Sequence, residues 1–377
     1  SFPYVVLGVR GALLRLDPAY EEGSRSLGRG PWRTFFSVTL LQLRPAITGG
    51  ALLVALYSLA DFGAVSLLQF DSFTRAIYVQ YRASFDPTLA AVLSLMLVAC
   101  TAALLLAEGR LRGRARYHRS GGGTARARRV VELGAWRWPA FAFCAAVVGV
   151  ALGVPVVTIG FWLARGLSSG ELGSSVWMPA ANSVVASALA ALLAVLASIP
   201  VAVLAVRHRG VVGSLVERST YAGFALPGIV IGLAFVFVGA RYLPALYQTL
   251  PLLLVAYLVR FVPEAVGATR ASLLQVSPRL EEAARTLGRS PGAVLRQVTL
   301  PIIRPGLVAG GALVFLTAMK ELPTTIMLAP TGFDTLAVRI WSTTSEGFFA
   351  RAAPPALLMI AVAGASLWLL LRQDAEA

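Results

Sequence analysis

Ser277-Pro-Arg-Leu-Glu-Glu-Ala-Ala-Arg-Thr-Leu-Gly288 decides how this chain is organised, because its scheme occurs twice. Ser277 suits a helix N-cap, and Pro278 suits the first helical position, where a missing N–H costs nothing. Glu281 and Glu282 fall in or just after the first turn, where the helix dipole favours negative charge. Gly288 suits the left-handed residue that stops a helix. A second short helix is expected from Ser290-Pro291 to Leu300, with Pro301 ending it. Shifted by 260 residues, Asp17, Pro18, Glu21, Glu22, Gly28 and Pro31 repeat the scheme. Over Leu16–Val54 and Val276–Val314, 16 of 39 aligned positions are identical, Arg25/Arg285, Arg44/Arg304 and Pro45/Pro305 among them. A mere connector between two helices has no reason to keep cap, acidic pair and stop glycine at matched spacing. A partner with two-fold symmetry does need such a pair to grip.

Working outward, the loops lie in a strongly apolar chain. Of 377 residues, 57% are hydrophobic and 14% are charged, with a mean hydropathy of +0.74. About a quarter of an ordinary globular sequence is charged. The apolar residues form eight candidate membrane spans, at about 46–70, 87–108, 138–163, 178–206, 218–240, 246–263, 303–328 and 353–371. Such runs must be helical, since only a helix satisfies its own backbone in lipid. Six spans separate the two loops, and an even number returns the chain to the same face. The copies are therefore expected to be parallel repeats about an axis along the membrane normal. Alternate loops carry the arginine excess, at 11–44, 109–129, 207–218 and 264–304, which places them and the Arg372 tail in the cytoplasm.

The expected fold is an all-α polytopic membrane protein of about eight transmembrane helices, with two repeats of one unit and the first truncated. Residues 1–108 form the C-terminal part of the first repeat, 109–135 a basic cytoplasmic linker, and 136–377 the second repeat. Four spans precede the loop in the second copy, whereas the first has only Ser1–Arg10. About 125 residues, four spans' worth, are therefore expected ahead of Ser1.

Other classes are excluded or weakened by composition. The formal charge of +15 gathers in the inter-span cluster from Arg110 to Arg129, so it orients the chain in lipid and is not read as a nucleic-acid surface. Cys100 and Cys144 sit singly in apolar spans, and His118 and His208 in basic loops without ligand-like neighbours. Metal binding and Ser-His-Asp or Cys-His catalysis are not expected. The sequence has no Gly-x-x-x-x-Gly-Lys-Ser/Thr loop, so ATP is expected to be hydrolysed elsewhere. No signal peptide is read at Ser1–Arg10. A secondary transporter would share the repeats and intramembrane charges but would not need the duplicated loop.

Glu282-Ala283-Ala284, Gly288 and Leu300-Pro301 resemble the cytoplasmic "EAA" signature of ABC importer permeases. The resemblance covers 136–373 and the loop plus two spans of the first copy. It implies that Glu281, Glu282, Ala283, Ala284 and Gly288, with Glu21, Glu22 and Gly28, couple the chain to two copies of an ATP-binding cassette subunit. It also implies an extracytoplasmic solute-binding protein, residence in a bacterial inner membrane, and ATP with Mg held by the partner, with no cofactor on this chain. The first copy departs from the signature, with Gly23-Ser24 for the two alanines and Leu41 for the proline.

The stretches Met319–Ala337 and Ala60–Leu68, followed by Phe70-Asp71 and Thr74–Ile77, resemble fused two-copy ferric-iron permeases, with thiamine and aminoethylphosphonate importers as relatives. Asp61 and Glu321 align at the same offset, each well inside an expected span. A charge there costs about 2.5–3.5 kcal/mol on insertion scales, so it should face a partner or a watery path. Two acids about the axis could attract a cation. Alternatively, Lys320 and the helix break at Pro323 simply neutralise the charge at a kink. Gly310-Gly311 reads as a close helix contact, Trp136 and Trp138 as an interfacial belt, and Asn182 as an N-cap.

Overall fold

The computed structural model describes residues 2–84, 86–111, 133–171, 175–207 and 226–376, with scattered positions between 210 and 223. Most of the basic linker, including His118, lies outside the described residues, as do His208 and parts of the expected 218–240 span. Among the described residues all regular structure is helical. Seven helices among the described residues are long and apolar enough to cross a membrane.

In chain order the helices are α1 (Phe2–Arg15), α2 (Pro18–Ser26), α3 (Pro31–Ala60), α4 (Gly63–Leu67), α5 (Phe73–Ala83), α6 (Thr88–Leu111) and α7 (Gly134–Ser169). Then come α8 (Trp177–Arg207), α9 (Gly228–Tyr242), α10 (Leu250–Leu273), α11 (Pro278–Thr286) and α12 (Pro291–Met319). Finally α13 (Pro323–Leu328), α14 (Leu336–Ser345) and α15 (Phe349–Glu376) complete the chain. The chain forms two compact units, Ser1–Asp61 with Val92–Gly153, and Phe62–Ala91 with Val154–Ala377.

In the first unit α1 packs on α3, where Gly50 lets the backbones meet. A Cβ on Gly50 would lie 2.9 Å from the Val5 Cα. In the second unit α8, α10 and α12 pack against one another through small residues. Ala186, Ala190, Ala194, Ser198 and Ala202 recur every fourth position along α8 and are buried. Gly306, Gly310, Val314 and Ala318 do the same along α12. In lipid there is no hydrophobic drive between helices, so close van der Waals packing and interhelical hydrogen bonds must hold them. A Cβ on Gly310 would lie 3.2 Å from the Ala265 Cα and one on Gly311 3.1 Å from Val195 Cγ2, and the Ser198 and Thr269 hydroxyls bond at 2.9 Å. The expectation of close packing at Gly310-Gly311 is met.

Several boundaries differ from the sequence reading. Residues 46–70 and 303–328 are each broken. α3 ends at Ala60 and restarts at Gly63, and α12 ends at Met319 and restarts at Pro323. Asp61 and Glu321 therefore sit at breaks and not well inside a span. Pro323 opens the helix after the second break, at the first position, where its missing N–H costs nothing. The helix expected to stop near 263 runs through Pro263 to Leu273, because its charged residues find partners. α9 has 15 residues, short of the roughly 20 needed to span. Pro301 does not end a helix; α12 continues through it. Asn182 lies within α8 and its amide donates to the Asp334 carbonyl at 3.0 Å, so it ties a loop down and caps nothing.

Candidate functional site

Each copy presents a short helix closed by the same backbone device. In α11, Pro278 takes the first position after an extended Ser277, whose hydroxyl makes no cap bond. The helix ends at Gly288, with φ of 80°. There the Gly288 N–H donates to Arg285 O at 2.9 Å and the Arg289 N–H to Ala284 O at 3.2 Å, a Schellman closure. In α2 the Asp17 carboxylate accepts from the Ala19 N–H at 3.0 Å, and Gly28 has the same φ of 80°. The Gly28 and Arg29 N–H groups donate to Arg25 O at 2.9 Å and Ser24 O at 3.3 Å. Nothing lies within 4 Å of where a Cβ would stand on either glycine, so both are needed for φ alone.

The outer faces of these helices are open and partly apolar. Leu287 is 83% exposed and Leu27 80%, with Leu280 and Tyr20 exposed seven residues before them. Seven residues are two turns, so each pair lies along one side of its helix. Glu282, Glu22 and Ala283 are exposed beside them, and Ala284 is half-buried.

The inner faces are pinned. Glu281 is 8% exposed. Its carboxylate accepts from the Thr299 hydroxyl at 2.9 Å and from the Arg207 guanidinium at 3.0 Å. Arg207, the last residue of α8, also donates to Val276 O at 3.1 Å. In the first copy Glu21 accepts from Thr39 at 2.7 Å. Both threonines close a π-helical turn, Phe35–Thr39 and Leu295–Thr299, at the foot of α3 and α12. Neither Arg207 nor these threonines stood out in the sequence, although the 260-residue alignment pairs Thr39 with Thr299.

Glu321 is 6% exposed, and its contacts gather on Oε1. The Thr324 N–H and hydroxyl donate to it at 3.1 and 2.7 Å, capping α13. Arg260 of α10 stands as a counter-ion at 3.3 Å, and the adjacent Lys320 is exposed. The guanidinium crosses directly over Gly228, where a Cβ would fall 1.6 Å from Nη1. One turn on, Glu264 accepts from Thr317 at 2.8 Å. Asp61, half-buried, holds the equivalent place as the residue after α3, with its N–H donating to Ser58 O at 3.4 Å. The Arg260 and Glu264 partnerships were missed because both partners, Glu321 and Thr317, lie on distant segments of the chain.

A many-helix membrane fold with paired, glycine-stopped helices at the feet of two spanning helices defines a transport permease. The chain belongs to the family described as "Binding-protein-dependent transport system inner membrane component", whose model matches residues 1–117 and 194–373. It is a multi-pass inner-membrane protein. It is 38% identical over 373 residues to the Fe(3+)-transport system permease protein FbpB 2 of Haemophilus influenzae, covering 98% of this chain and 74% of that one. A putative 2-aminoethylphosphonate transport system permease protein of Salmonella paratyphi A is 32% identical over 162 residues, covering 43% of this chain and 61% of that one. Among solved structures, inward-facing MetNI methionine ABC transporter matches with a TM-score of 0.43 and 18% identity, covering 58% of this chain and 97% of that one. Family membership implies an ATP-hydrolysing partner and a binding-protein partner.

Proposed function

We propose that this chain is the permease subunit of an ATP-driven importer of ferric iron. An extracytoplasmic binding protein delivers the substrate, and two ATP-binding cassette subunits, which hold ATP and Mg, drive the cycle. The observation that carries this reading is the duplicated helix. Leu27 and Leu287, with Glu22 and Glu282 beside them, stand exposed on two helices that end in the same turn. Closure of the two ATPases on ATP pulls both helices, and rigid movement of the two copies alternates access to a central path. The 38% identity to an Fe(3+) permease supports the choice of iron.

Asp61 and Glu321 are proposed to act on the path, each from the helix break of its own copy. Glu321 would do so through its pairing with Arg260 and not as a free ligand. Glu321→Gln keeps an acceptor for Thr324 but loses the charge, so uptake should fall while the complex still assembles. Unchanged uptake would remove Glu321 from the path.

The substrate is tested with the full-length gene restored to a deletion strain and uptake of labelled ferric iron measured. Iron uptake that returns with the wild-type gene, and not with Gly288→Asp, supports the reading. The similarity to an aminoethylphosphonate permease favours a second reading. Restored uptake of 2-aminoethylphosphonate without iron uptake would select it and overturn the first.

A further inference from the structure

Two connections between each docking helix and the membrane helix that follows it are common to both copies. One is the chain itself, through Gly288-Arg289-Ser290 or Gly28-Arg29-Gly30, where the glycines at 28 and 288 stand clear of other atoms. The other is the carboxylate–threonine hydrogen bond, which spans 18 residues and lands at the foot of α12 or α3. Glu281, Thr299 and Thr39 are buried, so water competes little for the bond.

The two copies agree on this second connection in register, chemistry and backbone. In both, the threonine is the last residue of a five-residue π turn. Such turns are rare and concentrate at functional positions. Pro301 is not required for the turn, because the first copy has Leu41 in its place.

We propose that the Glu281–Thr299 and Glu21–Thr39 bonds are the stiff links that carry movement of the docking helices into the spanning helices. Glu281 and Glu21 are thus positioning residues, facing their own chain while Glu282 and Glu22 face outward. The inference rests on the reading that these helices dock an ATPase.

The test uses the full-length complex of permease, ATPase and binding protein in proteoliposomes. ATP hydrolysis and substrate uptake are measured together for Thr299→Val, Thr39→Val, and the conservative Thr299→Ser and Thr39→Ser. Valine keeps the volume and, at 299, leaves the Arg207–Glu281 pair in place. With valine the ATPase should still co-purify and hydrolyse ATP, while uptake per ATP falls about tenfold, as expected of a lost hydrogen bond to a charged group. Serine, which keeps the hydroxyl, should restore most of it.

Unchanged uptake per ATP in both valine variants overturns the proposal. So does a serine variant as impaired as its valine counterpart, since shape and not the hydroxyl would then matter. If both valine variants fail to assemble, the bond is an assembly element and the proposal is likewise overturned. Failure of the docking reading itself would look different, as the ATPase would not co-purify with the unaltered permease.

Discussion

Pro18–Ser26 and Pro278–Thr286 end in the same left-handed glycine and hang from the same carboxylate–threonine bond, yet their undersides differ. Beneath the first, the Ser24 and Thr34 hydroxyls bond at 3.1 Å, both buried. The corresponding positions of the second are Ala284 and Val294. Of the two alanines of the family signature, Ala284 thus gives way to Ser24 without loss of the helix, because the polar Ser24–Thr34 pair stands where the second copy has the apolar Ala284 and Val294. What both copies retain is the backbone closure and the bond to the π turn. The filling between them is interchangeable, which separates what the site requires from what merely packs it.

Substitutions can break that comparison, and the largest effect is expected where the second copy carries a buried charge. Arg207→Met removes the guanidinium from Glu281, and breaking a pair of this kind costs about 3–5 kcal/mol. Thermal unfolding of the purified complex should shift accordingly. Glu21→Gln in the half-buried first-copy site should shift it far less. Equal shifts would mean that the two undersides are alike after all.

Next come the glycines that seat the spanning helices. Adding a methyl group at Gly50 or Gly310 overpacks a backbone contact, at about 1–3 kcal/mol. Gly50→Ala should be the worse, since its Cβ would meet the Val5 Cα at 2.9 Å against 3.2 Å from Gly310 to the Ala265 Cα. A reversed order in melting temperature would show that the tighter contact lies in the second copy.

Gly28→Val and Gly288→Val probe the part the copies share. Each forces a side chain into the left-handed region, costing roughly 1–2 kcal/mol, and the two should lower ATPase co-purification alike. A loss confined to Gly288→Val would make the second loop the sole handle.

The smallest effect sharpens the comparison most. Ser24→Ala with Thr34→Val rebuilds the first copy after the second. Each single change leaves one buried hydroxyl without its partner and should cost about 1–3 kcal/mol, whereas the double should be nearly neutral. A double variant as unstable as the sum of the singles would mean that the hydroxyl pair does more than fill space.

The two short glycine-stopped helices were legible in the sequence because their determinants are local. Pro at N1, an acid in the first turn and a glycine stop act within a dozen residues, and a 260-residue repeat made the pattern visible. The spanning helices were legible for the same reason, through length and hydropathy. What escaped depended on tertiary partners. Pro263 and Glu264 looked like the end of a span because a lone chain cannot reveal that Thr317 and Glu321 stand ready for Glu264 and Arg260. Lys320 looked like the counter-ion of Glu321 because it is adjacent in sequence, whereas the charge that α10 brings to 3.3 Å is Arg260. Glu281 and Glu282 look equivalent in sequence, yet helical geometry turns one in and the other out.

The account stands on both short helices meeting an ATP-hydrolysing subunit. A photoreactive amino acid placed at Leu27 or at Leu287, in the full-length protein in native membranes, reads this directly. The account predicts a covalent adduct with the ATP-binding subunit from both positions. Adducts from neither position, or from one alone while the other labels from the opposite side of the membrane, would contradict it.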